Sequence, residues 1–196
     1  MSETTNVARR PLTVLGFAGS LREGSYNRML LRAARELAPE GMTIEIHDLK
    51  DIPLFDEDVE RAGIPEPVER FREAIRRADA ILVATPEYNH GVPGVLKNAI
   101  DWASRPPLRS PLAGKPAALF GASPGQTGTA RAQSQLRQAF VFTNSPALPQ
   151  PEVLVFRAHE KFDAEGRLTD EATRTWVRRL LEALADWTLK LAPKPG

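Results

Sequence analysis

Five short apolar runs punctuate the chain, and each is followed by a loop and then by apolar positions at helical spacing. Leu12 to Ala18 closes at Gly19-Ser20, and from Tyr26 to Leu37 the residues Met29, Leu30, Ala33, Ala34 and Leu37 recur along one helical face. The pattern predicts strand, loop, helix. Met42 to Ile46 alternates apolar and polar positions before a proline-containing loop, and Val68 to Ala78 carries a helical pattern through Phe71 and Ile75. Ala80 to Thr85 reads as a third, buried strand ending at Pro86, with Val95 to Ala103 as the next helix and Pro93 near its first turn. The proline-rich stretch Arg105 to Pro116 leads into a fourth strand, Ala117 to Gly121. A helix from about Thr129 to Phe140 follows, supported by Ala130, Leu136 and Phe140. A second proline-rich connection, Thr143 to Pro151, feeds a fifth strand at Val153-Leu154-Val155-Phe156. The last helix spans about Asp170 to Leu191, capped by Thr169 or Asp170, with Asp170 and Glu171 suited to the positive end of its dipole. Its stripe of Trp176, Val177, Leu180, Leu181, Leu184, Trp187 and Leu191 predicts a core-facing surface.

Strands that alternate with helices need crossover connections, which place helices on both faces of a parallel sheet. The expected architecture is α/β: a flavodoxin-like, doubly wound, five-stranded parallel sheet of strand order 2-1-3-4-5. Ligands in such sheets bind outside the carboxyl ends of the strands, where the strand order reverses, here between strands 1 and 3. Chemistry is therefore expected in the loops after strands 1, 3 and 4. The 196 residues, 42% apolar and 26% charged, suit a single domain over 1–196, with 1–10 and 192–196 as flexible tails.

Charge and composition narrow the functions. A net charge of +1, from 26 basic against 25 acidic side chains, supplies no field to gather nucleic acid or anionic lipid. The apolar runs fall short of the roughly 20 residues of a membrane span. Met1 to Arg10 is polar and lacks a signal-peptide stretch, so neither membrane nor nucleic-acid partners are expected and the location expected is cytoplasmic. Without cysteine there is no disulfide, thiolate metal site or thiol nucleophile. His47, His90 and His159 fall in separate segments without ligand spacing, so no metal site is expected. Any redox chemistry must be carried by a bound cofactor.

The three loops are equipped for one. After strand 1, Gly19-Ser20-Leu21-Arg22-Glu23-Gly24-Ser25-Tyr26-Asn27-Arg28 runs straight into a helix, offering loop amides, the hydroxyls of Ser20 and Ser25 and the Arg22 guanidinium to a monophosphate. Gly19 and Gly24 have P-loop spacing, but Ser25-Tyr26 replaces the lysine and the magnesium ligand; Gly16 and Gly19 likewise fail the dinucleotide fingerprint. A plain serine-capped turn is the bland alternative. After strand 3, Pro86-Glu87-Tyr88-Asn89-His90-Gly91-Val92-Pro93-Gly94 can present its amides and the Tyr88 ring to a flat heterocycle; the alternative is a surface turn. His90 has no recognisable acid partner and reads more readily as a loop residue than as an acid or base. After strand 4, Gly121-Ala122-Ser123-Pro124-Gly125-Gln126-Thr127-Gly128-Thr129 again precedes a helix, whose dipole would suit negative charge on a reduced flavin. It formally matches the serine-hydrolase elbow, with His159 as a conceivable base. Pro124 defeats that reading, because the residue after the serine must donate its N–H to the oxyanion. Phosphate equipment in one loop and flat-ring equipment in two others suits FMN.

At these same residues the chain resembles the NADPH-dependent FMN reductase family, which includes chromate or quinone reductases and related azo-dye reductases. Gly19-Ser20-Leu21-Arg22 with Ser25 and Asn27 is similar to the family's phosphate loop. Pro86 through Trp102 is similar to its most diagnostic segment, Gly121 to Arg137, with Arg131-Ala132-Gln133 and Leu136-Arg137, also resembles the family, and Asp48 to Asp56 adds a softer match. The resemblance implies phosphate contacts from Ser20, Arg22, Ser25 and Asn27. It implies flavin contacts from Pro86, Glu87, Tyr88, Asn89, His90 and Gly91, and around Ser123, Gly125 and Gly128. Pro124 and Thr129 depart from the family pattern. The implied activity is hydride transfer from NADPH or NADH through FMN to quinones, chromate, azo compounds, ferric chelates or free flavin. The resemblance also implies a homodimer or homotetramer, with the helix of Trp102 and the Arg105 loop as candidate interface, or Trp102 as core. No protein acid or base is required, since the cofactor carries the hard chemistry. The competing reading is a flavodoxin-like electron carrier, against which stand the near-neutral charge and the Pro86 to Trp102 match. A flavin-free regulatory domain is the third.

Overall fold

The computed structural model describes residues 10–107 and 109–192. The expected tails at 1–10 and 192–196 lie, except for Arg10 and Ala192, outside them. Strands β1 (Leu12–Ala18), β2 (Met42–His47), β3 (Ala80–Ala84), β4 (Ala117–Ala122) and β5 (Val153–Val155) form one parallel sheet. Their order is β2-β1-β3-β4-β5, as the sequence pattern requires. Helices α1 (Tyr26–Glu36) and α6 (Glu171–Leu191) cover one face, and α3 (Glu66–Arg77), α4 (Gly94–Ala103) and α5 (Ala130–Phe142) cover the other.

The strands read as unbroken apolar runs, yet the two cores take alternate residues. Val14, Leu82 and Phe120 pack with Leu30 and Leu31 of α1 and Val177 and Leu181 of α6. Phe17, Val83 and Leu119 pack with Phe71, Leu96 and Leu136 on the far side, where Phe17 and Phe71 meet edge to face at 5.2 Å. Alternation with both faces buried is the signature of a parallel sheet between helix layers. Each of these side chains contributes roughly 1.5–3 kcal/mol.

Two expectations are corrected. The loop after β2 contains a short helix, α2 (Glu57–Ala62), that has no buried residue and so no apolar periodicity to betray it. Its signal is in the caps: Asp56 accepts the Asp58 N–H, the first turn is acidic, and Gly63 ends the helix. On α6, Val177, Leu180, Leu181 and Leu184 are buried, but Trp176 and Leu191 at the margins of the stripe are 46% and 41% exposed. Among the described residues no helix is long and apolar enough to cross a membrane.

The sheet also fixes where its loops begin. Gly19 N–H donates to Ala84 C=O, Thr85 N–H to Phe120 C=O, and Ser123 N–H to Val155 C=O, each at 2.9 Å. The loops after β1, β3 and β4 therefore leave side by side from one carboxyl edge.

Candidate active site

The first loop ends in a helix start built for an anion. Ser25 caps α1, its Oγ accepting the Asn27 N–H at 3.2 Å, and no acidic side chain occupies the first turn. The positive end of the α1 dipole is thus uncompensated by the protein. Ser20 and Ser25 are 5% and 2% exposed, whereas Arg22 is exposed, its carbonyl accepting the Ser25 N–H at 3.1 Å. The Ser25 hydroxyl hydrogen remains available, because its oxygen only accepts within the cap. Two hydroxyls, one guanidinium and a helix start fit a single phosphate group, which is what FMN carries.

The second loop is joined to the first. Tyr88 Oη lies 3.5 Å from Ser20 Oγ, and the Tyr88 ring is 53% exposed. Tyr88 and Gly91 exchange backbone hydrogen bonds of 3.1 and 2.9 Å around Asn89 (φ 50°) and His90 (φ 63°), a two-residue hairpin with both central residues left-handed. The turn is braced from behind: Val92 N–H donates to Gln135 Oε1 at 3.0 Å, and Thr85 Oγ1 donates to Pro86 C=O at 2.8 Å. A rigid turn with an exposed aromatic ring beside a phosphate cradle suits the edge or face of a flat heterocycle.

The third loop is held between β5 and α5. Ser123 Oγ accepts the Gly125 N–H at 3.1 Å, Arg157 N–H donates to Gly125 C=O, and Ala158 N–H to Ser123 C=O. Gly128, at φ 59°, passes so close to the Leu154 backbone that a methyl group would sit 3.0 Å from it. A model of the family described as NADPH-dependent FMN reductase matches residues 12–160, which include all three loops. The chain belongs to the NADPH-dependent FMN reductase family.

Relatives of this reductase agree along nearly its whole length. An NAD(P)H-dependent FMN reductase of Pseudomonas aeruginosa is 55% identical over 180 residues, covering 92% of this chain and 97% of the relative. An NADPH:quinone oxidoreductase of Arabidopsis thaliana is 42% identical over 198 residues, covering 98% and 100%. Among solved structures, the flavoenzyme NAD(P)H:(acceptor) oxidoreductase of Paracoccus denitrificans matches with a TM-score of 0.84 at 37% identity, covering 91% and 98%.

Several site residues of this reductase have tasks other than those expected. The Asn27 amide is 2% exposed and clasps the end of β4, donating to Ala122 C=O at 2.8 Å and accepting the Ala122 N–H at 2.9 Å. It ties the phosphate loop to the sheet with its oxygen and one of its two N–H donors. Glu87 is also engaged: its carboxylate accepts the Arg131 and Ala132 N–H groups at 2.9 and 3.3 Å and pairs with the Arg131 guanidinium at 3.2 Å. The α5 start expected to face a reduced flavin is thus capped by a protein carboxylate. Its positive end is already matched, whereas the first turns of α1 and α4 hold no acid. Trp102 is fully buried, donating its indole N–H to Pro53 C=O at 2.8 Å and meeting Phe55 edge to face, so it is core and not interface. Arg105, with its side chain 30% exposed, pairs with Glu60 at 3.0 Å. Sequence reasoning gave no task to Arg131 or Gln135, whose signal was only their place in the segment matching the family. Among the described residues no group of three His, Cys, Asp or Glu can hold a metal.

Proposed function

We propose that this protein is an FMN-dependent oxidoreductase that takes reducing equivalents from NADPH or NADH and passes them to quinones or other small acceptors. The observation that carries the reading is the Ser20 to Tyr88 junction, where a one-phosphate cradle and an exposed aromatic turn meet at the reversal point of the sheet. When bound, FMN supplies the redox chemistry, accepting hydride from the nicotinamide and returning two electrons to the acceptor. Ser20, Ser25 and Arg22 hold the phosphate. The turn of Pro86, Tyr88, Asn89, His90 and Gly91 would orient the ring, and the backbone of Ser123, Gly125 and Gly128 would contact it as well. Asn27 and Glu87 keep those three loops in register. No side chain is assigned as obligatory acid or base.

In this reading 1–196 forms one FMN-binding domain working in the cytoplasm as a homodimer or homotetramer. Quinones, chromate, azo compounds, ferric chelates and free flavin share the chemistry of acceptors that reach an open reduced flavin. Anaerobic mixing of the FMN-loaded protein with NADPH or NADH, followed by stopped-flow absorbance, tests the proposal. Rapid bleaching of the flavin band and its return on adding a quinone are expected; a band that neither nicotinamide bleaches would overturn it.

A further inference from the structure

Behind the phosphate loop, α1 and the end of β2 enclose a cavity of about 200 Å³ that the chemistry above does not use. Its floor is apolar, made by Leu31, Ile46 and Leu49, while Arg28, Arg32 and Arg35 line its wall along successive turns of α1. Arg28 is engaged with Asp48 at 3.0 Å. Arg32 and Arg35 have no hydrogen-bond or ion-pair partner among the described residues. Favourable interaction with the C-terminal end of the α1 dipole accounts for Arg35 in the last turn, but not for Arg32 within the helix. Burial, with the charge of Arg70 second, holds His47 in the wall below its ordinary pKa, so it adds no positive charge at neutral pH. Arg28, Arg32 and Arg35 thus line the cavity with one carboxylate, Asp48, over an apolar floor, and the Arg32 guanidinium also reaches the loop before α6, its Nη2 3.3 Å from where a methyl group at Gly166 would sit.

Such a lining suits a ligand with a flat apolar part and a phosphate. Guanidinium groups bind phosphate through paired, charge-assisted hydrogen bonds. Ser20 lines this cavity as well as the phosphate loop, so the two sites adjoin. In dinucleotide-binding sheets, the end of the second strand is where an acid reads ribose hydroxyls or an arginine accepts a 2′-phosphate. The acid at that place here, Asp48, is covered by Arg28.

We propose that this cavity takes the 2′-phosphorylated adenosine end of NADPH, and that Arg32 and Arg35 give the enzyme a preference for NADPH over NADH. The inference rests on the nicotinamide-dependent reading above, and its decisive measurement is one of binding, independent of turnover. Isothermal titration calorimetry of the FMN-loaded protein with adenosine 2′,5′-bisphosphate and with 5′-AMP is expected to show the bisphosphate binding about tenfold tighter or more, the effect of a charge-assisted contact. In the Arg32→Gln/Arg35→Gln double variant the ratio should fall toward one, and the kcat/KM ratio of NADPH to NADH should fall with it. Arg35→Glu, a single change at an exposed position, should lower the ratio on its own. Equal binding of the two nucleotides, no binding of either, or a ratio the variants leave untouched would overturn the proposal. So would inorganic phosphate, at matched ionic strength, displacing the bisphosphate as well as 5′-AMP does. If calorimetry succeeds while neither nicotinamide bleaches the flavin, the cavity assignment stands and the proposed activity falls.

Discussion

Gly121 marks the place where β3, β4 and the start of α5 touch. A methyl group there would lie 2.1 Å from Thr129 Oγ1 and 2.3 Å from the Thr85 carbonyl oxygen. Backbone cannot yield as a side chain can, so Gly121→Ala is expected to cost about 3 kcal/mol, measured as a lowered urea midpoint. Arg22 is a different kind of residue, exposed and, in the proposed site, a phosphate contact. Arg22→Ala should leave that midpoint nearly unchanged while costing about 1.5–3 kcal/mol of FMN affinity, read by fluorescence titration. At His90 the positive φ is what the turn requires, and His90→Asn, tolerant of that φ, is expected to preserve FMN binding and turnover. His90→Val should cost about 1–2 kcal/mol and loosen the turn, seen as faster hydrogen exchange at Gly91. If His90→Asn abolishes turnover, the imidazole has a chemical role after all. The proposed cradle residues Ser20, Arg22 and Ser25 could be grouped from the sequence because they lie within one short segment with its helix. Asn27 and Glu87 were not, because their partners stand 95 and 44 residues away along the chain.

Elements were legible in proportion to how much apolar surface they bury. All five strands and the five longer helices declare themselves by periodicity, whereas α2 buries nothing and is visible only through its caps. The N-cap of α6 shows how such a signal carries energy. Asp170 accepts the Thr173 N–H and Oγ1–H and pairs with Lys161 at 2.8 Å. The hydrogen bonds from Lys161 and then Thr173 lower its pKa from 3.8 to about 2. A depressed carboxylate stabilises the fold above its unfolded pKa and loses that contribution as the folded group is protonated. This share of stability is therefore present above about pH 4 and lost as the pH falls toward 2. Asp170→Ala is expected to cost about 1 kcal/mol at neutral pH. Asp170→Asn keeps an acceptor for the cap without the charge, and should flatten the decline in urea stability across that acid window.

For the molecule as a whole, the three loops share one edge because their strands are neighbours in the sheet. Binding confined to the folded state stabilises it by mass action, so FMN at about a hundred times its Kd should add roughly 2.7 kcal/mol. Thermal melting with FMN and with riboflavin separates the parts of the site: riboflavin, lacking the phosphate, should raise the Tm much less. An equal rise would place the affinity in the ring turn and not in α1. The sequence by itself determined the strand and helix order, the parallel sheet, and which loops carry phosphate-binding and ring-binding residue types, because those properties follow from local periodicity and short-range capping. Only the tertiary structure decided that Glu87 fills the α5 start, that Asn27 is a clasp, that Trp102 is core, and that Arg32 and Arg35 line a common cavity. Each of these depends on contacts between distant segments, and a hydrogen bond or a cavity wall has no imprint on the spacing of residues along the chain.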